Sequence, residues 1–294
     1  MSFGDKHIAI TGGTGYIGRH VRHYFVSRDI PFKTIGRRTF YCESSDISNW
    51  QTSEQLAEEL KLFDVFALLN ISGYFVSNHQ PSDLPNLLEA NLNNNVYLYE
   101  ACKLARIDRI VSIGTSWEGR ANDGERARNL YAELKAASYR ILRWYAAEYG
   151  FRSIHLLLND TYGGDDERQK LMPYIKQSIM DGKPLHLHNR SGEINLLYID
   201  DVIAGIDHAL LMTETLEKGT VSRYRLFGDI AIGIQNLIYE VEKVVGHNIP
   251  HEFKDDLQVV DRILAAGESH LPGWEPQTSL SDGLRLYFGT LDES

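Results

Sequence analysis

Apolar residues in the first half of the chain fall in short continuous runs, separated by longer stretches with helical spacing. KHIAIT, residues 6–11, is such a run and stops at glycines. YIGRHVRHYFVSR then has the periodicity of a helix, and FKTIG reads as a second strand. Past a polar stretch, FDVFALLNI is a third, nearly unbroken apolar run. A long helix is expected over LPNLLEANLNNNVYLYEACKLA, followed by a strand at RIVSIGT. Another helix runs from NLYAELK through RWYAAEYG, and RSIHLLLN is a fifth strand. Continuous apolar strands alternating with helices predict a parallel sheet covered on both faces. The expected fold class is α/β: a Rossmann-type doubly wound parallel sheet with a small α/β C-terminal substrate lobe.

From about Asp160 the alternation weakens. TYGGDDERQ reads as loop, LMPYIKQSIM as helix, and Gly182-Lys183-Pro184 as a break. YIDDVIAGIDHALLM returns to helix, with Asp201 near its start. RYRLF and IGIQNLIYEVEKVVG read as a strand and a helix outside the main alternation. The expected division is a dinucleotide-binding domain at 1–159, with a returning segment at about 192–215. The lobe then takes about 160–191 and 216–294, over the sheet's C-terminal edge, where ligands bind in such folds.

Composition narrows the class. A chain of 294 residues with 43% hydrophobic and 24% charged residues is ordinary for a soluble globular protein. No apolar run approaches the roughly 18 residues of a membrane span. The start enters a strand at once and lacks the layout of a signal peptide. The two cysteines, Cys42 and Cys102, have no metal-ligand spacing and read as buried thiols in a reducing compartment, so the expected location is the cytoplasm. A formal net charge of −10 argues against nucleic acids and anionic membranes as partners, but not against a small anionic ligand.

Chemistry enters at TGGTGYIG, residues 11–18, between the first strand and the first helix. Gly12, Gly15 and Gly18 let the backbone turn tightly, approach a pyrophosphate and pack helix on strand. The helix N-terminus offers unpaired N–H groups and a positive dipole end. At the end of the second strand, an NAD site usually has an acid for the ribose 2′-hydroxyl. Here the sequence reads IGRR, and Arg37 and Arg38 are suited to a 2′-phosphate, so NADP(H) is the expected cofactor. His186 and His188 occupy alternate positions of a short strand without further ligands nearby, and no metal is expected.

The sequence contains Tyr-x-x-x-Lys twice, at Tyr131/Lys135 and at Tyr239/Lys243, so the spacing alone does not identify a site. Context separates them. Tyr131 follows the fourth strand and lies downstream of Thr115, at that strand's end, whereas Tyr239 has no hydroxyl-bearing strand end in the matching place.

These motifs together resemble the extended short-chain dehydrogenase/reductase family, the NAD-dependent epimerase/dehydratases, over nearly the whole chain. The resemblance implies dinucleotide contacts from Thr14, Tyr16 and Ile17 in the glycine loop. It implies others from Asp46 and Ile47 in SSDIS beside the adenine, from Asn70, Ile71 and Ser72 after the third strand, and from Asn91 in EANLNNNVYLYEAC. RIVSIGT places the catalytic hydroxyl on Thr115, with Ser116 as the alternative, and YAELK supplies Tyr131 and Lys135. LLLNDTYG puts Asn159 on the substrate's diphosphate side. Ser116 and Trp117 line the sugar side, and Arg168, Lys170 and Arg190 are candidate partners for the diphosphate. LLYIDDV and SLSDGLRLYF also have counterparts in the family.

Within the family the chain is most similar to nucleotide-sugar 4-ketoreductases of the CDP-abequose-synthase type. Sugar dehydratases carry Asp-Glu after the catalytic threonine, whereas this chain has Ser116 and Trp117. The Cys and His of epimerase-reductases are missing, and the stretch from Thr115 to Tyr131 is short. The expected activity is therefore simple carbonyl reduction. The substrate is a nucleotide-diphosphate-linked 6-deoxy or 3,6-dideoxy hexose, made for a surface polysaccharide such as O-antigen. The resemblance also implies a homodimer. The alternatives are an NAD-bound nucleotide-sugar epimerase and, from another class, a non-catalytic NADP-binding redox sensor.

Reduction needs a proton for the developing alkoxide, and tyrosine is a weak acid, with an ordinary pKa of about 10. An ammonium one helical turn away favours the phenolate, so Lys135 is expected to lower the pKa of Tyr131 and to bind the nicotinamide ribose.

Overall fold

The computed structural model describes residues 6–36, 45–48, 50–119, 127–188, 190, 192–254 and 269–289. The chain begins with β1 (His7–Thr11), α1 (Tyr16–Ser27), β2 (Phe32–Ile35), α2 (Ser53–Leu62) and β3 (Val65–Asn70). Next come α3 (Leu84–Leu88), a π-helical turn (Glu89–Asn93) and α4 (Asn94–Ala105), which together form the long expected helix. β4 (Arg109–Thr115), α5 (Leu130–Tyr149) and β5 (Arg152–Leu158) complete the alternation.

Within this part β1 pairs in parallel with β2 and β3, β3 with β4, and β4 with β5. All but the first residue of β1 and of β5 is buried, as layers on both sides of a sheet require. Tyr16, Gly18, Val21 and Phe25 form the buried stripe of α1. Asn129 caps α5 by accepting from the Ala132 N–H at 3.0 Å, and Gly150 ends that helix in the left-handed region at φ 76°. The polar stretch before β3, not expected to be regular, contains α2. It starts with a Thr52/Gln55 capping box and buries Leu56, Ala57 and Leu60.

The later elements are β6 (Asp160–Tyr162), α6 (Leu171–Asp181), β7 (Leu185–His188), β8 (Glu193–Tyr198) and α7 (Ile199–Met212). They continue with β9 (Val221–Leu226), β10 (Ala231–Gly233), α8 (Ile234–Val245), β11 (His251–Lys254) and α9 (Leu280–Phe288). The strand around RYRLF, expected outside the main alternation, is β9, and it is the sixth strand of the main sheet, whose order is β2-β1-β3-β4-β5-β9. A local pattern cannot tell which sheet a distant strand joins. TYGG, expected as loop, begins inside β6, which pairs in parallel with β8. IGIQ, expected as helix, starts with the end of β10, antiparallel to β8.

The chain divides into two compact units. The first holds Met1–Leu158, Ile203–Arg225 and Gly267–Trp274, so its returning segments lie later than about 192–215. The second holds Asn159–Val202, Leu226–Ala266 and Glu275–Ser294. Inside it, Asp201 accepts from the backbone N–H groups of Gln277 and Thr278 at 2.8 and 3.0 Å, which accounts for an acid at the start of α7.

Among the described residues, no helix is long and apolar enough to cross a membrane. Cys102 is buried, and burial pushes its thiol up to about 12; Cys42 lies outside the described residues.

Candidate active site

The glycine loop sits at the C-terminal end of β1. Gly12 has φ +69°, and a Cβ there would come 2.9 Å from the Ser72 nitrogen. A Cβ on Gly18 would overlap the carbonyl oxygen of Gly12. Gly15 is the N-cap of α1 and supplies no side-chain cap, and the first turn holds no acid, so its N–H groups are left for an anion. Tyr16 is buried against His20, Ile17 is half-buried, and Thr14 is exposed at the loop tip. This tight, uncapped cradle fits a dinucleotide pyrophosphate.

On the expected adenine side, Asp46 Oδ2 accepts from the Thr34 N–H at 2.7 Å and from its hydroxyl at 3.0 Å. One carboxylate oxygen of Asp46 is thus committed to β2. Ile47 is buried and bridges to Ile35. Arg37 and Arg38 lie outside the described residues.

At the end of β3, Asn70 joins a buried chain of polar groups. Its Oδ1 accepts from Thr11 at 2.7 Å and from Ser72 at 3.0 Å, and its amide donates to Asn95 at 2.9 Å. Asn95 in turn donates to Ser138 of α5 at 2.8 Å. Ile71 and Ser72 are half-buried just beyond. Asn91, on the π turn, donates to the carbonyls of Tyr74 and Leu87 at 2.9 and 3.0 Å and accepts from the Tyr74 N–H at 3.2 Å. Its amide therefore serves the backbone after β3, which it presses against Lys135. A Cβ on Gly73 would lie 3.1 Å from both Asn91 Oδ1 and Lys135 Nζ.

Lys135 is 5% exposed, and Nζ donates to the carbonyls of Ser72 and Ile113 at 2.8 and 3.1 Å. Those bonds fix it between the ends of β3 and β4 and leave a third N–H for a ribose hydroxyl. Burial lowers its pKa to about 8, against an opposing pull from Glu118. Tyr131 is pushed above its ordinary value, first by burial and then by the negative charge of Glu118. That direction is opposite to the one expected from Lys135, whose ammonium is turned toward two carbonyls.

Tyr131 packs edge-on against Phe75 at 5.2 Å between ring centroids, and Phe75 lies 5.6 Å from Trp117, with the Arg128 guanidinium 4.2 Å above Trp117. Asn129 also donates to the carbonyls of Val76 and Ser77, which ties the start of α5 to this aromatic segment.

Thr115 ends β4 and caps a three-residue turn, Ser116–Glu118, in a reciprocal capping box. Its Oγ1 accepts from the Trp117 N–H at 3.3 Å, while its own N–H donates to Glu118 at 2.9 Å. Sequence reading missed Glu118, although Thr-x-x-Glu is the capping-box spacing. It also missed Glu118's partners His155 and Arg223; the only signal for His155 was a polar residue inside an apolar strand.

The diphosphate candidates belong to the second unit and are engaged within it. Arg168 pairs with both oxygens of Asp166 at 2.7 Å, Lys170 lies 3.4 Å from Asp160, and Arg190 sits 4.9 Å over Phe253. Asn159 donates to Asn195 at 2.9 Å, and its buried Oδ1 has no hydrogen-bond partner. His186 pairs with Glu252 at 2.6 Å, and the described residues contain no cluster of three or more metal-ligating side chains.

A doubly wound sheet, a glycine cradle at the first helix and a Tyr–Lys pair beside the ends of β3 and β4 define a dinucleotide-dependent enzyme class. The model of the NAD dependent epimerase/dehydratase family matches residues 8–223, and the chain belongs to that family. It is similar to the CDP-abequose synthase of Yersinia pseudotuberculosis, 27% identical over 210 residues, covering 68% of this chain and 71% of that one. The CDP-abequose synthase of Salmonella typhimurium is 19% identical, with 97% of this chain and 98% of that one covered. Among solved structures, UDP-glucose 4-epimerase from Brucella ovis in complex with NAD superposes with a TM-score of 0.79 at 15% identity, over 97% of this chain and 98% of that one.

Proposed function

We propose that the protein is an NADPH-dependent reductase of the 4-keto group of a nucleotide-diphosphate-linked 6-deoxy or 3,6-dideoxy hexose. The observation that carries this reading is what flanks the reactive tyrosine. Ser116 and Trp117 follow Thr115, Phe75 packs on Tyr131 and Trp117 on Phe75, and the nearby acid, Glu118, is enclosed and paired. An elimination needs a further exposed acid and base, whereas reduction needs only one proton donor. The similarity to two CDP-abequose synthases supports the substrate class, and Arg37 and Arg38 in the sequence support NADPH.

Bound in the glycine cradle, the dinucleotide supplies the hydride. Lys135 holds its ribose and keeps the backbone of Ser72 and Ile113 in place. Thr115 donates a hydrogen bond to the substrate's carbonyl oxygen, which polarises the bond. Tyr131, a phenol at neutral pH, gives its proton to the oxygen as negative charge develops there. Asn159 is the contact proposed for the substrate's diphosphate side. The reading includes a homodimer, supported by exposed Trp144 and Tyr149 on α5.

The second reading is an epimerase with retained NAD, favoured by the likeness to UDP-glucose 4-epimerase. One experiment separates the two. Purified protein is assayed for NADPH oxidation with CDP-, dTDP- and GDP-linked 4-keto-6-deoxy and 3,6-dideoxy sugars, with the product's configuration read by NMR. Oxidation with one of them is expected. No oxidation with any, together with NAD carried through purification, overturns the reductase reading.

A further inference from the structure

Glu118 is a buried charge that the reaction above does not use. Its side chain is 0% exposed. Burial alone raises a carboxyl's pKa, but His155, then Arg223 and the Thr115 N–H outweigh it and hold Glu118 below the usual carboxylate range. Oε1 accepts from the Thr115 N–H at 2.9 Å, and Oε2 faces His155 Nε2 at 3.0 Å and Arg223 at 3.3 Å.

The charged and titratable groups around it come from several elements. They are His155 on β5, Arg223 on β9, Tyr99 on α4, and Tyr131, Lys135 and Tyr139 on α5. Tyr139 stacks on His155 at 4.7 Å, and the Arg223 guanidinium lies 5.0 Å from the Tyr139 ring centre. His155 Nδ1 pairs with Ser112 at 2.7 Å. The order Ser112–His155–Glu118 is that of an acyl-transfer relay, but Ser112 is 4% exposed inside β4 and presents no nucleophile. A capping glutamate on a three-residue turn needs neither a histidine nor an arginine. Enclosing this one with both keeps it ionised beside the reactive pair.

We propose that Glu118 is a positioning residue that holds the Thr115 strand end in place and keeps Tyr131 and Lys135 proton-loaded, as phenol and ammonium. This rests on the reductase reading, in which Tyr131 must start as an acid. Oxidation of a sugar hydroxyl would start from the phenolate, the form that a nearby negative charge disfavours.

Two variants separate the parts of the proposal. Glu118→Gln keeps an acceptor for the Thr115 N–H but removes the charge. The alkaline limb of its kcat profile is expected to move down by about half a pH unit or more, with NADPH affinity within about twofold of wild type. Glu118→Asp keeps the charge but shortens the reach. Its limb is expected to stay in place while kcat falls about tenfold at every pH. Wild-type kcat and an unmoved limb in a folded Glu118→Gln protein overturn the proposal.

If neither variant folds, the intact network is read instead. With 13Cζ-labelled tyrosine, the resonance lost in Tyr131→Phe should stay at its phenol position through about pH 10. A phenolate shift below about pH 9 overturns the proposal. The reductase reading fails separately, by turnover retained in Tyr131→Phe, and the NMR titration tests the phenol form of Tyr131 that the proposal requires without any turnover.

Discussion

Tyr131 and Lys135 share their spacing with Tyr239 and Lys243, and each pair lies on one face of an α-helix. On α8, Tyr239 is 57% exposed, and Lys243 pairs with Glu240 at 2.8 Å while its Nζ sits 4.3 Å over the Tyr239 ring. That pair interacts with itself and with solvent. On α5, Lys135 reaches past its own helix to carbonyls at the ends of two strands, and Tyr131 meets the aromatic segment after β3. Spacing puts two side chains on one face; what that face is pressed against decides whether they have chemistry to do.

The comparison breaks most sharply at the hydroxyls. Tyr131→Phe should lower turnover by about 10³-fold with NADPH affinity intact, and Tyr239→Phe by less than about twofold. Equal effects in steady-state assays would remove the distinction between the pairs. The lysines come next. Lys135→Met should lower turnover by about 10²-fold and weaken dinucleotide binding, whereas Lys243→Met should do neither. In the wild type, turnover should decline as pH rises through about 8, where Lys135 loses its proton, and a pH–rate profile locates that limb.

Gly18→Ala tests the cradle without touching either pair. Its Cβ meets the Gly12 carbonyl, and NADPH binding, measured by fluorescence titration, should weaken on the order of tenfold. The remaining effect is on stability. Lys135 has a folded pKa of about 8 against an ordinary 10.5, so between those values the unfolded chain binds more protons. Stability from this residue therefore rises with pH across that window, by at most about 3 kcal/mol, and is absent below it. Denaturation at pH 8 and at higher pH should show that rise in wild type and its loss in Lys135→Met.

The strands and helices of the alternation were legible because continuous apolar runs between amphipathic ones have few other solutions. Thr115, Tyr131 and Lys135 could be singled out because each sits at a fixed place in that alternation. Glu118 was not, because a capping glutamate carries no sign in the sequence of the His155 and Arg223 that enclose it. Arg223 arrives from β9, over a hundred positions along the chain, and nothing local in RYRLF says which sheet edge it joins. α2 escaped for another reason. Its apolar stripe is only Leu56, Ala57 and Leu60 among charged neighbours, too narrow for periodicity to find, although its capping box was in plain view.

The π turn at Glu89–Asn93 amounts to one residue more than an α-helix of the same span needs. A deletion that restored regular winding would rotate everything on one side of it by about 100° relative to the other. Asn91 would then face away from Tyr74, and the segment after β3 would lose the brace that presses it against Lys135. For protein engineering this makes the turn a length-sensitive register mark.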